Sequence, residues 1–121
     1  MKGSCNCGAV TYEMTQPATG FACCHCTQCR KQSGHVWASA YVADDALKIL
    51  GDVRWFQSSK QAKRGFCPPC GAFLFWKHDD DSHTSFSLGS VDGGVGKPLA
   101  KHIFTAEKGD YYEISDKLPT Y

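Results

Sequence analysis

The chain has 121 residues, the length of one ordinary domain, so we expect residues 1–121 to form a single domain and not a multidomain machine. Hydrophobic residues make up 42% and charged residues 21%, which is typical of globular and not of disordered proteins. The formal net charge of +1 argues against a nucleic-acid binder and against a polybasic membrane binder.

Short segments of β-type composition follow one another along most of the chain. Aromatic and β-branched residues recur in them, and turns rich in Gly and Asp separate them. Strands are predicted over residues 9–13, 36–42, 52–57, 72–77, 83–88, 101–105 and 111–114. Helical signal is confined to residues 27–33 and 44–47. We therefore predict a mainly β fold, a sandwich or open barrel with little helix.

The distribution of apolar residues indicates where in the cell the protein is located. No stretch approaches the roughly 18–20 apolar residues of a membrane span, and no apolar segment follows residues 1–5 as it would in a secretory signal. We expect no membrane association and a reducing, cytoplasmic location. In that compartment clustered cysteines more often bind metal or react than form disulfides.

Eight cysteines are the unusual feature of the composition, and they fall into three clusters. The cluster Cys67-Pro68-Pro69-Cys70-Gly71 is typical of a zinc knuckle, in which amide N–H groups point at the sulfurs and the glycine accepts a positive φ. A knuckle supplies two ligands, whereas structural zinc takes four. Cys5 and Cys7 are candidates for the other pair, because a C-x-C pair on an extended segment lies on one face.

Such a site would close the 60-position separation between Cys7 and Cys67, so that metal-binding energy becomes folding energy. The alternative for these four cysteines is a set of unligated buried thiols or disulfides, which both the spacing and the compartment oppose.

Cys24, Cys26 and Cys29 form a C-x-C-x-x-C pattern with no obvious fourth ligand. Three protein ligands and one open position are typical of catalytic zinc, and the open position would accept a thiol. The alternative is a closed structural site with Cys23 or a histidine as fourth ligand. Otherwise Cys23 is expected to be a packing residue or spare thiol.

Two histidines have weaker assignments. His25 would point away from Cys24 and Cys26 in an extended segment, so an outer hydrogen-bond donor or packed residue is favoured over a ligand. If it lies near the substrate, His25 is also a candidate proton shuttle. His102 lies in a strand-like segment and is expected to be a core or surface histidine.

The motifs together resemble one family. They are Gly3-Ser4-Cys5-x-Cys7-Gly8, then Cys24-His25-Cys26-x-x-Cys29-Arg30-Lys31-x-x-Gly34, then Ser59-x(4)-Arg64-Gly65-Phe66-Cys67-x-x-Cys70-Gly71, with His102-Ile103-Phe104 and Asp116-Lys117-Leu118-Pro119 towards the end. In this order they resemble the glutathione-dependent formaldehyde-activating enzymes, also called the CENP-V/GFA domain.

The resemblance implies a fold of the β-tent type with two zinc ions. It assigns the structural zinc to Cys5, Cys7, Cys67 and Cys70, and the catalytic zinc to Cys24, Cys26 and Cys29. It implies a carbon–sulfur lyase acting on a thiol adduct of an aldehyde, with glutathione as the thiol and formaldehyde as the aldehyde.

Substrate carboxylates could pair with Arg30, Lys31 or Arg64, although each of these is equally well explained as a solvated surface charge. The alternative hypothesis for the function of the chain is a non-catalytic zinc module that binds a protein partner. Seven thiolates and two zinc ions would change the formal net charge from +1 to −2, which weakens a nucleic-acid role further.

Overall fold

The computed structural model describes residues 1–121. It contains ten strands, one α-helix and three short 3₁₀ turns. The strands are β1 (Lys2–Ser4), β2 (Thr11–Met14), β3 (Thr19–Cys24), β4 (Trp37–Ala43), β5 (Leu47–Leu50), β6 (Arg54–Gln57), β7 (Ala62–Phe66), β8 (Phe73–His78), β9 (His83–Ser87) and β10 (Lys101–Ile103). Helix α1 spans Thr27–Ser33, and the 3₁₀ turns span Asp44–Ala46, Leu88–Ser90 and Thr105–Glu107.

The strands form two sheets. The small sheet has the order β1-β2-β5, and the large sheet has the order β10-β3-β4-β9-β8-β7-β6. All pairings are antiparallel except β10 on β3, which is parallel. Neither sheet closes on itself, so the predicted mainly β, open architecture is confirmed.

The core consists of apolar side chains from both sheets. Tyr12 of the small sheet packs edge-on against Phe75 of the large sheet, with ring centroids 5.4 Å apart, and Phe86 lies beside them. Phe75, Phe86 and Leu74 are fully buried, so the middle of the large sheet is its best-packed part. No helix in the structure is both long and apolar enough to cross a bilayer.

Most predicted elements are confirmed with shifted ends, and α1 occupies the predicted residues 27–33. The predicted helical turn at 44–47 is a 3₁₀ turn over Asp44–Ala46. The strand predicted at residues 111–114 is wrong, because the backbone there joins neither sheet. Strands β1, β3, β5 and β7 were not predicted.

Strand β7 connects the parts of the molecule that hold cysteines. It pairs with β8 on one side and β6 on the other, and it ends at Phe66, directly before Cys67. Arg64, in the middle of β7, faces Cys29 of α1. The strand therefore fixes the distance between the knuckle and the loop that leads into α1.

Candidate metal centres

The first thiol group consists of Cys5, Cys7, Cys67 and Cys70, whose sulfur atoms all lie within 4.8 Å of one another. The Cys7 sulfur is 3.6 Å from the sulfurs of both Cys5 and Cys67. A tetrahedral site with Zn–S bonds of about 2.3 Å places its sulfurs about 3.8 Å apart. Both the donor set and the spacing therefore fit zinc.

Local backbone geometry builds this group. Gly71 has a φ of 74° and donates its N–H to the carbonyl of Cys67 at 2.7 Å, which closes the tight knuckle turn. On the other side, the Val10 amide donates to the Cys5 sulfur at 3.3 Å. Cys5 and Cys7 lie in a turn after β1 and not on an extended segment, so the prediction that strand alternation puts them on one face is wrong. The turn nevertheless brings both sulfurs to Cys67 and Cys70.

The thiols of this group share protons unequally. The amides of Ala72 and Cys7 lower the pKa of Cys70 to about 6. The Cys70 amide acts in the same sense on Cys67, but burial and hydrogen bonds with neighbouring thiols outweigh it and raise the pKa of Cys67 to about 12. Because metal binding requires thiolates, a group in which one thiol already ionises readily is prepared for a cation.

The second thiol group consists of Cys24, Cys26 and Cys29, again with sulfurs within 4.8 Å of one another. Cys24 ends β3, and Cys26 is the N-cap of α1, where its sulfur accepts the Cys29 amide at 3.3 Å. The cap places Cys26 and Cys29 on the first turn of α1, and the end of β3 places Cys24 beside that turn. Three soft donors at this spacing fit zinc with one coordination position left over.

Charge in the second group is concentrated on Cys29. A hydrogen bond with Cys24 and a further one from Arg64 outweigh burial and lower the pKa of Cys29 to about 6. The same hydrogen bond raises the pKa of Cys24, which keeps the shared proton. Arg64 Nη1 lies 3.5 Å from the Cys29 sulfur and supplies the nearby positive charge.

A cavity of about 300 Å³ adjoins the second group. All three cysteines line it, together with two tryptophans, Trp37 and Trp76, and the one charged side chain Arg64. The larger cavity of about 670 Å³ touches only one cysteine, Cys5, and its one charged side chain is Asp92. The smaller cavity is therefore the better site for a sulfur-containing anion.

His25 lies on the opposite side from this cavity, in a hydrogen-bonded series that we call the histidine chain: Tyr112, His25, His102 and Asp116. The Tyr112 hydroxyl contacts His25 Nδ1, His25 Nε2 is 2.8 Å from His102 Nδ1, and His102 Nε2 is 2.8 Å from an Asp116 oxygen. His25 is 2% exposed, so its ring is fixed by these partners.

One proton arrangement satisfies the whole histidine chain. With Asp116 ionised, His102 Nε2–H donates to the carboxylate, which leaves His102 Nδ1 to accept from His25 Nε2–H. His25 Nδ1 then accepts from the Tyr112 hydroxyl. Both histidines are neutral in this arrangement, and burial together with the nearby His102 lowers the pKa of His25, which favours the neutral ring.

The remaining sequence candidates have clear positions. Cys23 is buried beside His25 and His102, on the side of the histidine chain, so it is separated from the second thiol group. Arg30 donates to the Glu107 carbonyl at 3.1 Å, and Lys31 is exposed. His102, expected to be a core or surface histidine, is buried, and it links His25 to Asp116 in the histidine chain.

Comparison with known proteins identifies the family. The model of the family described as glutathione-dependent formaldehyde-activating enzyme matches residues 1–107. The chain belongs to this family. The match includes both thiol groups, His25 and His102, whereas Tyr112 and Asp116 lie beyond it. The resemblance inferred from the motifs is therefore confirmed.

Relatives of the chain are distant but nearly full-length. A Halomonas elongata protein provisionally named a glutathione-dependent formaldehyde-activating enzyme is 27% identical over 97% of this chain and 82% of its own length. An uncharacterized lyase of Schizosaccharomyces pombe is 24% identical over 99% of this chain and 89% of its own length. A crystal structure of a Rhodobacter sphaeroides protein matches with a TM-score of 0.58 and 25% identity, covering 77% of this chain and 89% of that one.

Replacing Cys67 by Ser should abolish zinc binding at the first thiol group and unfold the protein. Structural zinc contributes about 10–16 kcal/mol, which is as large as the whole stability of a typical domain. Metal analysis of purified protein and thermal unfolding followed by circular dichroism measure the two effects. Cys23→Ser is the matched control, because it also changes a buried cysteine but leaves both thiol groups intact. A folded Cys67→Ser protein with two zinc ions would contradict the site.

Acid should release the C-terminal residues from β10. The hydrogen bond from His102 lowers the pKa of Asp116, so the stabilisation is present above the ordinary aspartate pKa and is lost as pH falls below about 4. The Tyr121 amide, which donates to the His102 carbonyl at 3.0 Å, reports the release through its hydrogen-exchange protection factor. Asp116→Asn should lose this pH dependence and the exposed Asp110→Asn should keep it. Equal pH profiles in the two variants would refute the assignment.

Proposed function

We propose that the protein is a zinc-dependent carbon–sulfur lyase that makes and breaks the adduct between a thiol, glutathione, and an aldehyde such as formaldehyde. Family membership over residues 1–107 and the names of both relatives support an enzymatic, lyase-type role. The proposal includes two zinc ions per chain, one in each thiol group, with residues 1–121 acting as one domain in the cytoplasm.

The observation on which the proposal rests is the openness of the second thiol group. Cys24, Cys26 and Cys29 converge with no fourth metal-binding side chain among them, and all three line the 300 Å³ cavity. The first group has four cysteines and supplies a complete tetrahedral set. A substrate sulfur can therefore join the second group but has no position to take in the first.

The reaction joins the thiol sulfur to the carbonyl carbon, and the proton lost by the sulfur ends on the carbonyl oxygen. In the lyase direction the same carbon–sulfur bond breaks and the hydroxyl proton returns to sulfur. Zinc at this site would either stabilise the substrate thiolate or polarise the carbonyl oxygen as a Lewis acid. The protein must therefore position the two reactants and exclude competing water.

Residues around the cavity suit those tasks. Trp37 stacks on Phe73 with centroids 4.5 Å apart and donates to the Ser87 hydroxyl at 2.6 Å, so one apolar wall is rigid. Ser39 and Ser85 line the same cavity with hydroxyls that can bond the hydroxyl of the adduct. His25 faces away from the cavity, so we assign it to fixing the Cys24–Cys26 segment and not to moving a proton of the substrate.

Exchange of ¹³C-formaldehyde with its glutathione adduct, followed by NMR, tests the proposal. Zinc-loaded protein should accelerate exchange above the spontaneous rate. Loss of an outer hydrogen-bond partner of a metal ligand typically costs about 10–100-fold in activity. Cys26→Ser removes a proposed ligand itself, so it should reduce the rate by more than that. Serine also caps helices, so α1 and the first zinc should survive. Cys23→Ser, which leaves all seven proposed ligands in place, should retain the wild-type rate.

Two results would count against the lyase. Wild-type protein that fails to exceed the spontaneous rate would refute the activity on glutathione and formaldehyde. Cys26→Ser protein that unfolds would indicate that the second zinc is structural, as in a non-catalytic module for a protein partner.

A further inference from the structure

Arg64 is a buried cation that forms no ion pair with a carboxylate. Its side chain is 4% exposed, and its Nε atom is buried without a hydrogen-bond partner. The salt bridges of the protein involve Lys77, His83 and His102 but not Arg64. The Cys29 sulfur is the one negatively charged partner that the protein offers this guanidinium, and a single contact leaves most of its buried donors without an acceptor.

The surroundings of Arg64 place that acceptor in the substrate cavity. One amino group, Nη1, reaches the Cys29 sulfur at 3.5 Å, and the guanidinium lies over the Phe73 ring at 5.5 Å. That bond uses one of the five N–H donors of the guanidinium, and the side chain of Arg64 makes no other hydrogen bond to the protein. Arg64 is also the one charged side chain among the residues that line the 300 Å³ cavity.

A second, adjoining cavity of about 490 Å³ shares Gln28 and Arg64 with the first. Lys31 lines this outer cavity and is exposed. The two cavities therefore each have a positive charge: the buried guanidinium of Arg64 lies beside the Cys29 sulfur, and the exposed ammonium of Lys31 lines the outer cavity only. Apart from the three cysteines, the rest of the inner lining is uncharged, so it offers a cationic thiol no carboxylate.

Arg64 also compensates the negative charge of the second thiol group. Three thiolates and one divalent ion sum to a formal charge of −1, and the Arg64 guanidinium brings the total to zero. A thiolate that enters this site therefore meets a neutral group and not a negative one. A carboxylate on the same molecule finds one cationic hydrogen-bond partner inside the cavity, the donors of Arg64 that its contact with Cys29 leaves free.

We propose that Arg64 is the specificity-determining residue of the second thiol group and selects thiols that also carry a carboxylate, the class to which glutathione belongs. The guanidinium pairs with the substrate carboxylate through donors left free by its bond to Cys29. This inference rests on the proposed function, because it requires a substrate sulfur among Cys24, Cys26 and Cys29. Arg30, which is bonded to Glu107, and Lys31, which is exposed, are excluded from this inner role.

Cobalt-substituted protein tests the proposal, since its visible absorption changes when an added thiol joins the metal. Three thiols of similar size serve as probes: anionic 3-mercaptopropionate, neutral 3-mercaptopropanol and cationic cysteamine. We expect the anionic thiol to bind at least about tenfold more tightly than the neutral one, and cysteamine to bind most weakly. Arg64→Gln should reduce the ratio between the first two to about one.

Two further variants keep the test decisive. Lys31→Gln removes an exposed charge and should leave the ratio unchanged. Arg64→Lys keeps the charge without the fork of donors and should retain a smaller preference, so it replaces Arg64→Gln if that variant does not bind cobalt.

The outcomes separate this inference from the proposed function. Equal affinity of wild-type protein for all three thiols, or an undiminished preference in Arg64→Gln, would overturn the role of Arg64 while leaving an open metal site. A cobalt spectrum that no thiol changes would instead overturn the proposed function, because the second group would then be closed.

Discussion

Convergence of buried sulfur is the constraint on which the rest of this structure depends. Thiols are weak hydrogen-bonding groups, and seven of them gathered at two points repel one another as soon as they ionise. The fold brings each set together from distant parts of the chain, with Cys7 and Cys67 separated by 60 positions. Such an arrangement is stable when a cation compensates the thiolates, so the metal and the fold depend on each other.

Strand β7 connects the two thiol groups rigidly. Arg64 contacts the second group, and three residues later Cys67 enters the first. Antiparallel pairing with β6 and β8 holds this spacing rigidly. The position of Arg64, the one cation that lines the cavity of the second group, is therefore tied to the position of Cys67 in the first group.

The two sides of the segment around His25 have different tasks. The cysteines on either side of His25 face the cavity, whereas His25 itself faces the histidine chain. The histidine chain joins this segment to β10 and to residues near the C-terminus. Its hydrogen bonds fix His25, the residue between Cys24 and Cys26, on the side away from the cavity, as outer hydrogen-bond partners do in metal sites generally. The chemistry and its support thus occupy opposite faces of three consecutive residues.

Sequence reasoning succeeded where the signal was local. The C-x-x-C knuckle, the extent of α1 and the β-type composition of β8 and β9 all depend on neighbouring residues. It failed for the strand predicted at residues 111–114, where aromatic composition reflects packing of Tyr111 and Tyr112 against His35 and not sheet pairing. The partnership of His25 with Tyr112 spans 87 positions and has no local signature. Strand β3 was missed because its glycine and paired cysteines lack β-type composition.

The central claim is that one thiol group is complete and the other is open to a substrate sulfur. X-ray absorption at the zinc edge of protein loaded with two ions measures it most directly. Four sulfurs at one ion and three at the other predict an average of about 3.5 sulfurs per zinc, rising to about 4 when 3-mercaptopropionate is added. An average of 4 before the thiol is added, unchanged afterwards, would contradict the account.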